Sequence, residues 1–350
     1  MNEEKINILL LTHKFYPDVG GTEANSEFLA NAFTGYGANV HLVTWTKEEG
    51  DKKFPFTVIR NPNTKELFNQ HKWADVVFEN SPVLRMSWLN LFIKKPLVIA
   101  LNTWIGEDGK KSLQAAAKFK WLGRAKSVIA VSNAIKNKCW PQAVVIENAY
   151  NDKLFINNHK DEESKKSFVF LGRLVSDKGA NMAIDAMASL RRFKEQNPSL
   201  SLDVNLTIIG QGHDLDKLKS QVVSLDLIDN VTFAGMLTGN DLVEVLNNHK
   251  YLLIPSMWEE PFGIVALEGM ACGCIPVVSD GGGLPDAVGK AGVVFKRKDQ
   301  ADLDKTILNL IQDKSFEERL KAEAPAHLHS HSTDVVAKKY FNLIKKAVKP

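Results

Sequence analysis

The chain has 350 residues, of which 44% are hydrophobic and 24% are charged. This composition is that of an ordinary globular protein and excludes the disordered, collagen-like and membrane-spanning classes. A single hydrophobic core stops growing near about 250–300 residues, so the length predicts two domains. Three cysteines are too few for a disulfide framework, which favours a reducing cytoplasm.

Positive charge is concentrated in the first part of the chain. Residues 1–150 contain 19 Lys/Arg and 14 Asp/Glu, whereas the rest of the chain contains 25 and 27. Within residues 84–138, 11 basic residues stand against only Glu107 and Asp108. This asymmetry favours an anionic partner or a membrane surface, and a solvated face of lysines explains it equally well.

Short apolar, β-branched runs recur along both halves, separated by segments with helical periodicity. Runs that are apolar throughout are typical of strands buried on both faces, as in parallel sheets, so both halves are predicted to be α/β. In the first half the runs are INILLL (6–11), VHLVTW (40–45), ADVVFE (74–79), PLVIAL (96–101) and SVIAVS (127–132). In the second half they are SFVFLG (167–172), VNLTIIG (204–210), NVTFAG (230–235), YLLIPS (251–256), CIPVVSD (274–280) and GVVF (292–295).

A polar stretch without periodicity, residues 146–167, separates the two series of runs and predicts a linker. We therefore expect a Rossmann-like domain over residues 1–160 and a second one over 161–328. Apolar residues at helical spacing predict a terminal helix within 329–350. If the two domains face one another, the carboxyl ends of both sheets lie on a shared cleft, where ligands of such sheets bind.

The loop after the first predicted strand ends in Gly20-Gly21, directly before an amphipathic helix. Bare backbone amides at the positive end of a helix suit a phosphate group, although a Gly-Gly pair is more often a simple turn. The pattern is not GxGxxG, so the nicotinamide fingerprint is missing and a dehydrogenase is disfavoured. His13 in the same loop is either a ligand contact or an ordinary loop imidazole.

The second half opens with FLGRLVSDKG (170–179). Arg173 follows a predicted strand, and Lys178 stands directly before the glycine that begins a helix. Either residue alone would be read as a surface cation. Two cations at the carboxyl edge of a sheet, beside a helix N-terminus, can hold the two charges of a diphosphate.

Segment 255–288 is the most informative part of the sequence. Glu260 ends a loop, Pro261 marks the predicted start of a helix, and Glu268 lies about two turns along it. One carboxylate at the mouth of the helix can accept hydrogen bonds from hydroxyls near a phosphate, and the other can reach a more distant polyol such as a ribose. The Glu–x7–Glu spacing becomes specific together with the PFG insert and the Gly281–Gly283 turn.

These motifs resemble those of retaining glycosyltransferases of the GT-B fold, in glycosyltransferase family 4, also described as glycosyl transferases group 1. The resemblance covers most of the chain. It is carried by the GG opening, IENAYNDKLF (146–155), GRLVSDKG (172–179), IIGQGHDLDKL (208–218), VTFAG (231–235) and the Glu–x7–Glu segment. It implies an α/β fold with two Rossmann-like domains facing across a cleft, and a final helix that crosses back to the first domain.

The resemblance also implies roles for individual residues in binding the sugar donor. Gly20 and Gly21 would contact the donor diphosphate from the first, acceptor-binding domain. Arg173 and Lys178 would hold it from the second, and Glu260 would bind hydroxyls of the donor sugar. The remaining implied donor contacts are Glu268 at the ribose, backbone amides at Phe262, Gly263 and Ile264, Gly210 and Gly212 at the border of the nucleotide, and the strand end with Met236 and Leu237 along the base.

The sequence departs from the family pattern after the fifth strand of the first domain. Relatives commonly place a histidine there, close to the reacting carbon of the sugar, whereas PLVIALNTW places Asn102. An asparagine amide can donate to a sugar hydroxyl but cannot take up a proton. Asn102 is therefore predicted to bind sugar and not to act as an acid or base.

The reaction is predicted to need no metal ion and no other cofactor. The Asp-x-Asp spacing at Asp214–Asp216 begins a helical segment and does not stand in a suitable loop. Fixed cations and amides can stabilise the departing diphosphate without a metal. Retention could proceed by double displacement or by same-face attack with the departing phosphate as the base, and the resemblance favours the second route.

The predicted function is transfer of a sugar from a UDP- or GDP-sugar to a saccharide, a lipid-linked saccharide or another hydroxyl acceptor, in surface polysaccharide or glycoconjugate synthesis. The predicted location is the cytoplasm, with residues 81–126 facing an anionic, lipid-linked acceptor at the inner membrane face. No nucleic-acid partner is expected. Two alternatives stay open, a GT-B nucleotide-sugar epimerase and a non-catalytic subunit that binds nucleotide sugars.

Overall fold

The computed structural model describes residues 5–18, 20–106, 112–158, 165–198 and 203–349. The chain divides into two units, one formed by residues 1–147 and 333–350, and the other by residues 148–332. The boundary predicted at 160/161 lies outside the described residues. Residues 148–158 belong to unit 2, where the Asn158 amide donates to Asn247 Oδ1 at 2.8 Å and Asn247 Nδ2 donates to the Ile156 carbonyl at 3.0 Å.

Unit 1 contains a parallel sheet with the strand order β3-β2-β1-β4-β5-β6-β7. Its strands are β1 (Asn7–Leu11), β2 (Asn39–Thr44), β3 (Thr57–Arg60), β4 (Val76–Asn80), β5 (Leu97–Leu101), β6 (Ser127–Ala130) and β7 (Val144–Val145). Its helices are α1 (Gly21–Gly35), α2 (Thr64–Trp73), α3 (Leu84–Ser87), α4 (Asn90–Ile93), α5 (Leu113–Leu122), α6 (Asn133–Cys139) and α14 (Thr333–Val348).

Unit 2 contains a second parallel sheet with the order β10-β9-β8-β11-β12-β13. Its strands are β8 (Lys166–Leu171), β9 (Leu206–Ile209), β10 (Val231–Gly235), β11 (His249–Ile254), β12 (Ile275–Ser279) and β13 (Val293–Phe295). Its helices are α7 (Ala180–Gln196), α8 (Leu215–Ser224), α9 (Gly239–Asn247), α10 (Ile264–Ala271), α11 (Leu284–Val288), α12 (Gln300–Gln312) and α13 (Lys314–Ser330). Both units are therefore Rossmann-like, and the α/β class expected from the apolar runs is confirmed.

All of the predicted strand runs form strands. Most of them are central strands buried on both faces, and the edge strands β10 and β13 also come from apolar runs. Two strands were missed. Strand β3 lies at the edge of its sheet and has an exposed first residue and half-buried others, so it lacks a continuous apolar run. Strand β7 has only two residues.

The terminal helix α14 packs on unit 1 through aromatic side chains. The ring of Phe341 stacks on Phe33 of α1 at a centroid distance of 5.8 Å. Tyr340 meets Phe78 of β4 edge to face at 6.0 Å, and Phe33 meets the same ring at 6.1 Å. The core of unit 1 thus contains side chains from both ends of the chain.

Candidate active site

The strand order places a ligand-binding position in each unit. In unit 2 the order reverses at β8, which lies between β9 and β11, and in unit 1 it reverses at β1, between β2 and β4. Connections from the two central strands leave on opposite faces at such a point, which opens a crevice at their carboxyl ends. Arg173 follows β8 in this region, and Ser256 follows β11.

A partly buried ion pair occupies this position in unit 2. Lys178 Nζ lies 2.5 Å from Glu260 Oε1, and the two side chains are only 18% and 14% exposed. The Ser256 hydroxyl donates to the same carboxylate oxygen at 2.9 Å. The Lys178 ammonium also lies 5.3 Å from the centre of the Trp258 ring. The sequence predicted Lys178 and Glu260 as parts of one site, and the structure brings them together.

The backbone around this pair is held by one carbonyl. The Asp177 carbonyl oxygen accepts hydrogen bonds from the amides of Met257 and Trp258, at 2.8 and 3.2 Å. It also accepts from the Ser256 hydroxyl at 3.2 Å. The turn at Ser176–Lys178 is therefore fixed to the loop after β11, which sets the position of Lys178 relative to Glu260.

The glycine turn after β12 supports Glu260 from the other side. The Gly283 amide donates to the Glu260 carbonyl at 2.7 Å, and Gly282 forms a parallel bridge with Glu260. Gly282 has a φ of +69°, and a Cβ atom there would lie 2.1 Å from the Glu260 carbonyl oxygen. The turn must therefore be glycine for the two backbones to approach so closely.

Helix α10 begins at Ile264 and not at Pro261, which corrects the prediction. Gly263 has a φ of +127°, a conformation outside the helical region, so the segment Pro261–Gly263 forms a turn before the helix. Phe262 is buried in this turn and stacks on the His331 ring at a centroid distance of 5.9 Å. Phe262, Gly263 and Ile264 thus lead from Glu260 into the helix.

Glu268 lies on α10, away from the ion pair. Burial raises the pKa of its carboxyl from the usual value to about 7. A carboxyl in this environment is partly protonated near neutral pH, so it can both donate and accept hydrogen bonds. This property is compatible with contacts to a polyol.

The other predicted residues of unit 2 lie around the loop that follows β8. Arg173 is exposed. Gly210 and Gly212 pack against this loop, because Cβ atoms there would lie 1.9 Å from the Gly172 carbonyl oxygen and 2.1 Å from that of Leu174. Exposed Met236 and half-buried Leu237 directly follow β10. The two glycines therefore have a packing role, whatever they contact in a ligand.

The glycine pair of unit 1 lies at the start of α1, as predicted. Gly21 is the first residue of the helix, and a Cβ atom there would meet nothing within 4 Å. The backbone of Gly20 is extended, a conformation open to any residue, and its Cβ would approach only the flexible carboxylate of Glu23. The fold itself does not require glycine at either position. We therefore attribute the pair to the open space that glycine leaves beside the backbone amides.

Asn102 belongs to a network of neutral polar groups at the carboxyl ends of β1, β4 and β5. Its Nδ2 donates to Asn80 Oδ1 at 2.6 Å, and Asn25 Nδ2 donates to the same oxygen at 3.2 Å. Asn80 Nδ2 donates in turn to the Ser26 hydroxyl at 2.6 Å, which donates to Thr12 Oγ1 at 3.1 Å. The sequence pointed to Asn102 and, after the fourth predicted strand, to Glu79 and Asn80. It did not identify Asn25, Ser26 or Thr12, because they come from other segments.

Glu79 points away from this network and is fully buried. One of its oxygens accepts from Trp121 Nε1 at 2.7 Å, and the other accepts from the Val83 amide at 2.8 Å. Burial raises the pKa of this carboxyl to about 7. His13, the other candidate of unit 1, has an exposed side chain, and its carbonyl accepts from the Trp45 amide at 3.3 Å.

Two searches of the described residues bear on metals and membranes. Among these residues, no three His, Cys, Asp or Glu side chains cluster as ligands of a metal ion. Asp214 precedes α8 directly and Asp216 lies in its first turn. None of the described helices combines the length and the apolar character that crossing a bilayer requires.

Comparison with known proteins shows what this chain resembles. Residues 151–327 match the family described as glycosyl transferases group 1. A glycosyltransferase of Methanocaldococcus jannaschii is 25% identical over 339 residues, which cover 89% of this chain and 90% of that protein. The D-inositol 3-phosphate glycosyltransferase of Stackebrandtia nassauensis is 32% identical over 193 residues, which cover 52% of this chain and 43% of that protein.

Solved structures share the whole fold at lower identity. HepE of Anabaena, in complex with UDP, matches with a TM-score of 0.80 at 18% identity, over 97% of this chain and 100% of that one. The sucrose-phosphate synthase of Thermosynechococcus elongatus matches with a TM-score of 0.76 at 18% identity, over 98% of this chain and 99% of that one. From the family match and this fold, the chain belongs to the glycosyl transferases group 1 and is a glycosyltransferase of the GT-B fold.

Proposed function

We propose that this glycosyltransferase moves a sugar from a nucleotide diphosphate sugar to a hydroxyl acceptor with retention of the anomeric configuration. The observation that carries the proposal is the partly buried Lys178–Glu260 pair at the strand reversal of unit 2, to which Ser256 is hydrogen-bonded. A cation and a hydrogen-bonding carboxylate held side by side suit a ligand with a diphosphate next to a sugar. HepE, which shares the fold, was solved in complex with UDP-glucose.

The proposed donor contacts follow from the charges of the residues. Lys178 and exposed Arg173 hold the diphosphate, and Glu260 accepts hydrogen bonds from sugar hydroxyls through the oxygen that Lys178 and Ser256 do not occupy. Glu268 contacts the ribose, and Met236 and Leu237 lie along the base. The amides of Gly20, Gly21 and the turn before α10 add donors for the phosphate and the sugar. The nucleotide of the donor is UDP or GDP.

These residues act on the bond between the anomeric carbon and the diphosphate oxygen. When this bond breaks, both electrons stay on the departing oxygen, and fixed cations and amides stabilise that charge without reorganising. The acceptor oxygen then bonds to the anomeric carbon on the same face, and its proton passes to the departing phosphate. Since the phosphate takes the proton, the neutral amide of Asn102 is sufficient as a sugar contact. We propose that no metal ion takes part.

The acceptor is proposed to be a saccharide, and specifically one that is lipid-linked or anionic, in surface polysaccharide or glycoconjugate synthesis. The relatives named as a D-inositol 3-phosphate glycosyltransferase and a glycogen synthase support a hydroxyl acceptor on a polyol or a saccharide. The basic surface of unit 1 favours the anionic class. Its place would be the cytoplasm, at the inner face of the membrane.

The proposal is tested by incubating the full-length chain with UDP- and GDP-sugars and a panel of sugar acceptors, and by assigning the product anomer by NMR. We expect a retained anomer and an unchanged rate in EDTA. An inverted product, or a strict need for Mn²⁺ or Mg²⁺, would contradict the mechanism. Release of a free epimer without acceptor would identify an epimerase, and nucleotide-sugar binding without turnover would identify a non-catalytic subunit.

A further inference from the structure

The helical segment 84–93 of unit 1 has its apolar side chains on the outside. It comprises α3, two helical residues and α4, and it ends at Lys94, whose φ is +60°. Phe92 is 72% exposed, Trp88 41% and Leu91 40%. Their rings and chains form one patch, in which Trp88 and Phe92 meet edge to face at 6.2 Å. We call Trp88, Leu91 and Phe92 the apolar patch.

The inner face of this segment is already packed, so the apolar patch is not part of the core. Met86, Ser87, Leu89 and Asn90 are buried on the side toward the sheet. Asn90 closes the end of the segment, because its Nδ2 donates to the Lys95 carbonyl at 2.9 Å and its Oδ1 accepts from the Lys95 amide at 2.8 Å. The segment is thus held in place while its outer face offers large apolar side chains to the surroundings.

The described chain segments on either side of the apolar patch and in helix α5 are rich in basic residues. Helix α5 lies on the same side of the sheet, because Trp121 of α5 and the Val83 amide before α3 both donate to the Glu79 carboxylate. Within the described stretches 81–106 and 112–138 there is no Asp or Glu. The basic residues there are Arg85, Lys94, Lys95, Lys118, Lys120, Arg124, Lys126, Lys136 and Lys138.

We propose that this face of unit 1 docks on an anionic lipid bilayer, with the apolar patch in the boundary between headgroups and acyl chains. Tryptophan and phenylalanine beside lysine and arginine are the residues that bind such a boundary. The leucine and phenylalanine of the patch have no use against a soluble polyanion, whereas they gain from contact with acyl chains. Charge complementarity selects anionic over neutral lipid.

This inference deepens the proposed function and rests on it, because a docked enzyme meets an acceptor that is carried on lipid in the plane of the membrane. The bilayer would then confine both reactants to one surface. Within the broader range 81–126, the apolar patch is the group that inserts into the membrane, and Arg85 and Lys94 are the flanking positive charges.

Co-sedimentation of the full chain with vesicles tests the inference. One set of vesicles contains phosphatidylcholine alone, and the other contains about a third phosphatidylglycerol. We expect binding to the anionic vesicles that weakens with added salt, and little binding to the neutral ones. The variant Leu91→Ser/Phe92→Ser should bind at least about tenfold more weakly, and Arg85→Gln/Lys94→Asn should lose about fivefold per residue.

Matched controls come from α8 and the turn that follows it, in unit 2. Val223 and Ile228 are exposed apolar residues, and Lys217 and Lys219 are exposed basic ones. The variants Val223→Ser/Ile228→Ser and Lys217→Gln/Lys219→Gln should bind vesicles as the unchanged chain does. Equal binding to both kinds of vesicle, or an equal loss in the controls, would overturn the inference. So would a dimer that the Leu91→Ser/Phe92→Ser variant loses while it keeps its vesicle binding, because the patch would then join two copies of the chain.

The thermal shift with UDP, measured on the same samples without vesicles, separates this inference from the proposed function. A chain that UDP stabilises but that anionic vesicles do not bind keeps the proposed function and loses the docking inference. A chain that no nucleotide or nucleotide sugar stabilises loses the proposed function, whatever the vesicles show.

Discussion

The two units place different chemistry at the same topological position. At the strand reversal of unit 2, Lys178 and Glu260 form a partly buried ion pair. At the strand reversal of unit 1, Asn25, Asn80 and Asn102 form a neutral network of amides. A charged site costs desolvation and is worthwhile only against a charged ligand, whereas amides suit uncharged hydroxyls. The contrast supports the proposal that Lys178 of unit 2 binds the diphosphate and that the amides of unit 1 contact sugar hydroxyls.

The largest expected effect comes from removing the charge of unit 2. Glu260→Gln should lower kcat about 10²–10³-fold, since it removes the sugar contact and leaves Lys178 without its carboxylate. Glu259→Gln is the matched control, because Glu259 pairs with the Arg297 side chain at 3.2 Å and not with Lys178. Steady-state kinetics with a nucleotide sugar measures both variants. If the two variants are equally active, Glu260 is not part of the active site.

Ser256 should affect turnover mainly through its hydrogen bond to Glu260, which is shorter than its contact with the Asp177 carbonyl. Ser256→Ala frees the carboxylate oxygen that Ser256 holds at 2.9 Å, and kcat should fall about tenfold while UDP still binds. Ser279→Ala is the control, because Ser279 donates to the Ser256 carbonyl at 2.7 Å and not to Glu260. Both variants should lose about 1 kcal/mol of unfolding free energy. An equal loss of kcat in the control would make the role of Ser256 merely structural.

A negative charge added to the amide network of unit 1 would remove the difference in charge between the two sites. Asn102→Asp puts an acceptor against Asn80 Oδ1 and a negative charge near the proposed donor, so the KM for the donor should rise about tenfold. Asn137→Asp, at an exposed position of α6, should leave the KM unchanged. If the KM for Asn102→Asp equals that of the control, the amide network does not contact the donor.

A last prediction concerns stability, and it rests on a kind of group that both units contain. Glu79 in unit 1 and Glu268 in unit 2 are carboxyls whose pKa burial raises to about 7. The folded chain keeps these protons between about pH 4.5 and 7, where the unfolded chain has lost them. The free energy of unfolding should therefore fall as the pH rises through this range, by roughly 3 kcal/mol per group at most, and be flat with respect to these groups above it.

Calorimetric melting between these pH values measures how the free energy of unfolding depends on the protonation of Glu79 and Glu268. Glu79→Gln should remove the pH dependence that belongs to unit 1, and Glu268→Gln the part that belongs to unit 2. Glu244→Gln, at an exposed position of α9, should leave the slope as it is. A slope that neither buried variant changes would show that both carboxyls are ionised in the folded chain throughout.

The sequence was informative wherever chemistry and spacing are local. Apolar runs predicted the central strands, because burial on both faces leaves only one kind of pattern. They missed β3, because its four residues TVIR are exposed or half-buried and end in an arginine. They placed the start of α10 at Pro261, because proline favours a first helical turn and nothing local reveals the φ of Gly263.

The candidate site shows the same difference between local features, which the sequence predicted, and long-range contacts, which it did not. The Glu–x7–Glu spacing and the GRLVSDKG motif identified Lys178 and Glu260, whose contact the structure then provides. Ser256, Asn25 and the bridge from Gly282 to Glu260 were missed, because each depends on segments that only the folded sheet brings together. A buried serine directly after a strand at the reversal point is the signal that could have identified Ser256.

The docking of α14 on α1 and β4 has a consequence for synthesis of the protein. The chain leaves the ribosome from its N-terminus, so unit 2 is complete before the helix that finishes unit 1 has emerged. Until then, the hydrophobic surface around Phe33 and Phe78 is uncovered. Unit 1, although most of it is translated first, can therefore complete its core only after unit 2 has been synthesised.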